Sequence, residues 1–160
     1  MKYIITESQY KRIKESEESI LRIPTLSLFD NDWNLLQRYM EKKGNPKYSI
    51  EGDLYGAPIK SLGNLKSVGG DLDLYETPIE SLENLQSVGG DLDLRGTAIE
   101  SLGNLQSVGG DLYLSRTQIK SLGNLQSVGG DLYLSGTPIS KKYSRQEIRD
   151  MVNVNGDIYL

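Results

Sequence analysis

Residues 81–100 read S-L-E-N-L-Q-S-V-G-G-D-L-D-L-R-G-T-A-I-E, and the neighbouring blocks 61–80, 101–120 and 121–140 repeat this text nearly letter for letter. The shared form is S-L-x-N-L-x-S-V-G-G-D-L-x-L-x-x-T-x-I over a period of twenty residues. A fixed period of this size marks a solenoid, in which each coil buries its apolar side chains against the coils above and below.

The spacing inside one block gives the shape of a coil. Ile79, Leu82, Leu85 and Val88 fall every three residues, and Leu92 and Leu94 fall two apart. Period two is a strand with one face buried. Period three over a short stretch with Gly and Asn suits 3₁₀ turns or extended backbone rather than an α-helix. Gly89-Gly90 is expected to turn the chain into the strand. Pro58, Pro78 and Pro138 follow the strands, where a missing N–H is tolerated. Each coil is therefore a short strand, a turn and an irregular return, and the stacked strands form one parallel sheet. The fold class expected is an α/β solenoid, mainly β, with a helical cap at the N-terminal end and a helix-plus-strand cap at the C-terminal end.

Outward from the four blocks, the pattern degrades. Residues 47–140 hold the solenoid, with residues 48–60 as a degenerate first coil in which Gly52 replaces an inward leucine while Leu54 and Ile59 remain. Residues 1–46 read as the N-terminal cap. Lys2 to Thr6 suits a short strand, and Thr6-x-x-Gln9 is a capping box opening a polar helix to about Ser19. A second helix, capped by Asp30 or Asp32, carries an apolar stripe of Trp33, Leu36, Tyr39 and Met40 and stops at Gly44 and Pro46. Its place is over the apolar end of the first coil. Residues 141–160 form the other cap. Ser144-x-x-Glu147 is a capping box with Tyr143 and Ile148 placed as a hydrophobic staple, and Ile148, Met151 and Val152 are expected to face inward. Val154-Asn-Gly-Asp-Ile-Tyr-Leu160 then echoes V-G-G-D-L-Y-L.

Composition narrows the chemistry. The sequence contains no Cys and no His. The first fits a reducing compartment. Together they remove most metal sites, thiol and Ser-His nucleophiles, and the usual acid–base residue. No signal peptide and no membrane-spanning run is evident, so the expectation is a soluble, cytoplasmic protein without cofactor or metal. Net charge is −4, but residues 51–140 carry twelve acidic against five basic residues. An acidic solenoid repels phosphate backbones and argues against nucleic acid as a partner.

Two families resemble this text. Leu92-x-Leu94-x-x-Thr97-x-Ile99 resembles the strand consensus of leucine-rich repeats, with Thr where that family usually carries Asn. N-L-x-S-V-G-G-D-L-x-L is similar to the repeat of receptor L-domains. The resemblance covers residues 47–160 and implies the solenoid fold. Thr77, Thr97, Thr117 and Thr137, with Ala57 in the first copy, are expected to bond the neighbouring coil's backbone, and Asn64, Asn84, Asn104 and Asn124 to form a second polar ladder. The layout also resembles repeat proteins of large tailed bacteriophages. That likeness is carried by Met1-Lys-Tyr-Ile-Ile-Thr-Glu-Ser-Gln9, by the S-L-x-N-L-x-S-V-G-G blocks and by Tyr143-Ser-Arg-Gln-Glu-Ile-Arg-Asp-Met-Val152. It implies an infected bacterial cell as the setting.

Variation over the constant frame marks the candidate surface. The outward residue of L-x-L reads Asp53, Asp73, Asp93, Tyr113, Tyr133, Tyr159 down the array. The next column reads Tyr55, Tyr75, Arg95, Ser115, Ser135, and the one after it Gly56, Glu76, Gly96, Arg116, Gly136. Three tyrosines on adjacent strands supply contact area at small entropic cost. Three aspartates beside them repel by roughly 0.9 kcal/mol per pair in water, unless a basic ligand or backbone donors offset it. The expected partner is a protein, possibly basic, met through Asp53, Tyr55, Asp73, Tyr75, Asp93, Arg95, Tyr113, Arg116, Tyr133 and Tyr159. The same tyrosine column equally reads as cross-strand packing of an ordinary sheet face. Asp71, Asp91, Asp111 and Asp131, one after each Gly-Gly, are spaced too widely for a calcium roll and are expected to cap turn N–H groups. The expectation is a non-enzymatic interaction module, monomeric or weakly self-associating. The alternative is a structural, virion-associated protein that packs with its own copies.

Overall fold

The structure is a computed structural model and describes residues 20–55 and 59–160. The expected strand at Lys2–Thr6, the capping box at Thr6, and the readings of Gly56, Ala57 and Pro58 lie outside the described residues. A solenoid runs from residue 48 onward, with a period of twenty residues across its four full repeats. Ser87 pairs with Ser107 and Ser107 with Ser127, each in parallel register. Leu92 pairs with Leu112 and Leu112 with Leu132 in the same way.

Each coil carries two short strands rather than one. The first set comprises β1 (Leu21–Ile23), β2 (Tyr48–Ile50), β3 (Leu65–Val68), β5 (Ser87–Val88), β7 (Ser107–Val108), β9 (Ser127–Val128) and β11 (Asn153–Val154), which form a seven-stranded parallel sheet in that order. The second set comprises β4 (Leu72–Asp73), β6 (Leu92–Asp93), β8 (Leu112–Tyr113), β10 (Leu132–Tyr133) and β12 (Ile158–Tyr159), which form a five-stranded parallel sheet. The one expected sheet is this second one, and Leu54 adds a bridge to Leu72 at its end. The expected irregular return contains the other sheet. Its S-V segment is too short to show the alternation that marks a strand in sequence.

Gly-Gly joins the two sheets, and its physical reason is close approach. A Cβ on Gly109 would lie 2.0 Å from the carbonyl oxygen of Gly89, and one on Gly110 would lie 2.0 Å from Asp91 Oδ1. The coils stack so tightly at this corner that no side chain fits. Inside, one leucine, isoleucine or valine from each position piles on its equivalents. Ile79, Leu82, Leu85, Val88, Leu92 and Leu94 are all essentially inaccessible, as are the matching residues of the next coil.

Polar ladders close the stack. Asn64, Asn84 and Asn104 donate from Nδ2 to the carbonyls of Asn45, Gly63 and Glu83 in the preceding turn of chain. The threonines behave differently from expectation. Thr77, Thr97, Thr117 and Thr137 donate from Oγ1 to the carbonyl three residues back in their own coil, at 2.6–2.8 Å. They close the turn after the strand instead of reaching the neighbour.

Both ends are capped. Helix α1 (Trp33–Lys42) starts at Asp32, whose side chain accepts from Asn34 and Leu35 N–H. Its Trp33, Leu36 and Met40 join the common core. Trp33 Nε1 donates to the Ser61 carbonyl at 3.2 Å. Strand β1, whose Leu21-Arg-Ile23 alternation is too short to stand out in the sequence, extends the first sheet beside β2. At the other end, α2 (Pro138–Lys142) begins at Thr137 and α3 (Arg145–Met151) at Ser144, with both halves of the Ser144–Glu147 capping box formed. Ile148 and Val152 are buried, but Met151 is 47% exposed and does not face inward. The helix is only seven residues long and turns Met151 to the outside at its last position.

Candidate functional site: the outer face of the five-stranded sheet

The outward column is set by strand register. Asp73, Asp93, Tyr113, Tyr133 and Tyr159 are consecutive partners. Because Leu54 bridges Leu72, the residue that continues the column is Tyr55, not Asp53. Asp53 occupies the place of Asp71 instead, and its Oδ1 accepts the Asp71 N–H at 2.9 Å. The first coil is two residues shorter than the twenty-residue repeats, so counting by twenty puts Asp53 and Tyr55 in the wrong columns. The motif Glu51-Gly-Asp-Leu-Tyr55, aligned on Gly-Gly-Asp-Leu-Tyr113, carries the correct register.

The aspartates after each Gly-Gly form a ladder. Oδ1 of Asp71, Asp91, Asp111 and Asp131 accepts the backbone N–H of the equivalent aspartate in the next coil (Asp91, Asp111, Asp131 and Asp157) at 2.7–2.8 Å. Oδ2 is left for a tyrosine. Tyr113 donates to Asp111 at 2.9 Å, Tyr133 to Asp131 at 3.2 Å, and Tyr55 to Asp71 at 3.2 Å. One carboxylate thus ties two coils together and fixes a ring on the outside. The anionic acceptor holds the Tyr113 proton, with partial desolvation adding to it, and pushes its pKa up to about 12. At Tyr55 desolvation leads and the Asp53 and Asp71 carboxylates add to it, again to about 12. Tyr133 is raised too, by desolvation and then by Asp131.

The rings stack. Tyr113 and Tyr133 are 4.8 Å apart between centroids and tilted by 9°, and Tyr133 and Tyr159 are 4.7 Å apart and tilted by 6°. Cross-strand packing and an accessible aromatic face are the same object here, since Tyr113 and Tyr133 are half-buried and Tyr159 is 40% exposed. Arg95 continues the ladder on the other side. Its guanidinium carbon lies 5.1 Å from the Tyr113 ring centre and 5.4 Å from that of Tyr75. It also forms a forked pair with the Asp93 carboxylate, which raises the Arg95 pKa. Asp73 Oδ1 accepts the Tyr75 N–H at 2.8 Å, and Asp93 Oδ1 the Arg95 N–H at 3.0 Å. The three-aspartate patch is therefore not formed. Two aspartates share the column, each turned onto a backbone donor, and one is neutralised by Arg95.

The third column has a backbone signature that the sequence reading missed. Glu76 (φ 53°), Gly96 (76°), Arg116 (65°) and Gly136 (77°) all adopt the left-handed conformation. Glycine takes this readily, while glutamate and arginine do so against about 1–2 kcal/mol. A groove of about 510 Å³ runs along this edge, with Tyr75, Arg95, Tyr113, Ser115, Arg116 and Tyr133 among its walls. On the other sheet, Ser67, Ser87, Ser107 and Ser127 line a longer depression of about 780 Å³. The strict Ser at every twentieth position was its visible signal. Among the described residues, no helix is long and apolar enough to cross a membrane. No protein-family model, no curated protein and no solved structure matches the chain.

Proposed function

We propose that this chain is a non-enzymatic protein-binding repeat module that presents the outer face of its five-stranded sheet to a protein partner. The observation that supports this best is the stacked ladder Tyr113–Tyr133–Tyr159, with two hydroxyls anchored on Asp111 and Asp131. Large aromatic surface held rigid before contact loses little entropy on binding, which is the property of an interface anchor. Tyr55, Tyr75 and Arg95 extend the face, and the acidic solenoid around it disfavours nucleic acid. The setting proposed is the cytoplasm of a phage-infected bacterial cell, with a host or phage protein as target and a leucine-rich-repeat-like ancestry, as the sequence resemblance implies. The test is affinity capture from bacterial lysate with the wild type and with a Tyr113→Ala/Tyr133→Ala variant whose circular dichroism is unchanged. A protein retained by the first and lost by the second supports the reading; identical captures contradict it.

A second reading, self-assembly, has one observation in its favour. β12 is the edge of the five-stranded sheet, and Leu132 and Leu134 N–H donate into its inner side at 2.7–2.8 Å. An edge strand is a template for another strand. Sizing chromatography over a range of concentrations separates the two readings, since a constant monomer excludes assembly through β12.

A further inference from the structure

Arg116 is out of keeping with its surroundings. In its column Gly96 and Gly136 take the left-handed backbone freely, while Arg116, like Glu76, holds it with a full side chain. The Arg116 N–H donates to the Ser135 carbonyl of the next coil at 3.0 Å, as the Glu76 N–H does to the Arg95 carbonyl at 2.9 Å, so the stack accounts for the backbone. The Arg116 side chain makes no hydrogen bond or ion pair among the described residues, and the stack does not account for it. Its Cγ lies 3.8 Å from where a Cβ on Gly136 would stand, so the arginine runs over a place that the next coil leaves bare. A long charged side chain placed at a left-handed position and left without a partner in the fold points to a role outside it.

The groove beside Arg116 has the matching chemistry. Of its two arginines, Arg95 is already paired with Asp93, so Arg116 is the uncommitted charge. Ser115 and Ser135 bring hydroxyls to the same wall, and the rings of Tyr113 and Tyr133 supply apolar surface. Glu76, at the far end, is the one acidic residue that lines it. The groove thus offers one uncommitted positive charge beside an apolar wall, with Glu76 two coils away from it, in a chain of net charge −4. The acidic solenoid repels an extended polyanion from a distance, while Arg116 attracts a single carboxylate at contact. We infer that the groove at Arg116 takes an acidic side chain from a short segment of the partner protein, with an adjoining apolar residue laid against Tyr113 and Tyr133. This rests on the protein-partner reading above and reverses the sign of partner that the aspartate column suggests.

The experiment is an ¹⁵N NMR titration of the intact chain with the end-blocked peptide Glu-Glu-Leu-Glu-Glu, and with Lys-Lys-Leu-Lys-Lys as its counterpart. The acidic peptide is expected to shift the Arg116, Ser135 and Gly136 amides and Arg116 Nε saturably, and the basic one to leave them in place. Arg116→Gly should lower the affinity at least about tenfold, equivalent to about 1.4 kcal/mol, while its melting temperature stays level or rises. Arg116→Gln, which keeps a polar side chain on the same left-handed backbone and removes the charge, should lose binding equally. Glu76→Gly relieves the same backbone and should bind as well as the wild type or better. No saturable shift in the wild type, an equal response to the basic peptide, or undiminished binding by both Arg116 variants would each overturn the inference. A lysate partner that needs the tyrosines but binds Arg116→Gly undiminished overturns this inference alone. Arg116-dependent peptide binding without any tyrosine-dependent capture supports the acidic-ligand site and contradicts the protein module.

Discussion

At the scale of single residues, two kinds of glycine do different work. Gly109 sits where a Cβ would meet the Gly89 carbonyl at 2.0 Å, whereas Gly103 has φ +55° and nothing within 4 Å of its would-be Cβ. Gly109→Ala should therefore lower stability by about 3 kcal/mol, the upper range of overpacking, because a backbone carbonyl cannot step aside. Gly103→Ala should lower it by about 1 kcal/mol, the left-handed penalty alone. Paired urea denaturation curves give both numbers, and equal losses would contradict the stacking geometry. The tyrosine–aspartate pairs give a prediction in alkali. The Tyr113 pKa lies at about 12 in the fold, above an ordinary value near 10. The unfolded chain releases this proton first, so stability is complete below about pH 10 and declines as pH rises towards about 12. Tyr113→Phe should lose less stability than the wild type between about pH 9 and about pH 11.5. An identical decline in the two proteins would remove the Asp111 contact from the explanation. Sequence made the repeated Asp legible as a turn cap, but not its partner, since the N–H it accepts belongs to the next coil and only stacking defines it.

At the scale of elements, the coil was legible in part. Leu92 and Leu94 announce a strand by alternation, and Ser144 with Glu147 announces a helix by a local side-chain exchange, so both could be read from neighbours in sequence. Strands β5, β7 and β9 are two residues long and exist because identical segments lie beside one another, which no local pattern reveals. Asp53 and Tyr55 went astray for the same reason. Their column depends on the pairing of Leu54 with Leu72, and hence on a coil two residues short. Helix α3 shows how its end of the stack is finished. Arg149 Nη1 and Nη2 donate to the carbonyls of Val154 and Gly156 at 2.8 Å each. These are the positions where, one coil earlier, Val128 and Gly130 carbonyls accept from Asn155 and Gly156. The guanidinium stands in for the backbone donors of a following coil at that edge. Arg149→Ala should leave both carbonyls open and lower stability by about 1–3 kcal/mol, since charged hydrogen bonds are lost. A melting curve checks this; an unchanged midpoint would show that the cap contributes nothing.

At the scale of the whole molecule, the fold is a one-dimensional stack, and its stability is a sum over coils and their interfaces. Excising residues 101–120 joins Glu100 to Ser121 without disturbing the letter pattern. The shortened chain should fold with the same far-ultraviolet spectrum and a lower melting temperature, and a loss of folding would show that the coils are not interchangeable. Excision also brings Asp93 next to Tyr133 and removes Arg116, so acidic-peptide binding should vanish while folding persists. What the sequence did not convey at this scale is the second sheet, whose serine column, Ser67, Ser87, Ser107 and Ser127, lines a depression of its own. The stack itself is open to a direct chemical test, helped by the absence of any native cysteine. Ser107 and Ser127 are partners on adjacent parallel strands, roughly 4.8 Å apart, within the span that a disulfide bridges. Under mild oxidation, Ser107→Cys/Ser127→Cys should close an intramolecular disulfide in the monomer, while Ser87→Cys/Ser127→Cys, two coils apart, should not. Closure of neither pair, or of both alike, would contradict a spiral in which every twentieth residue stands on the one before it.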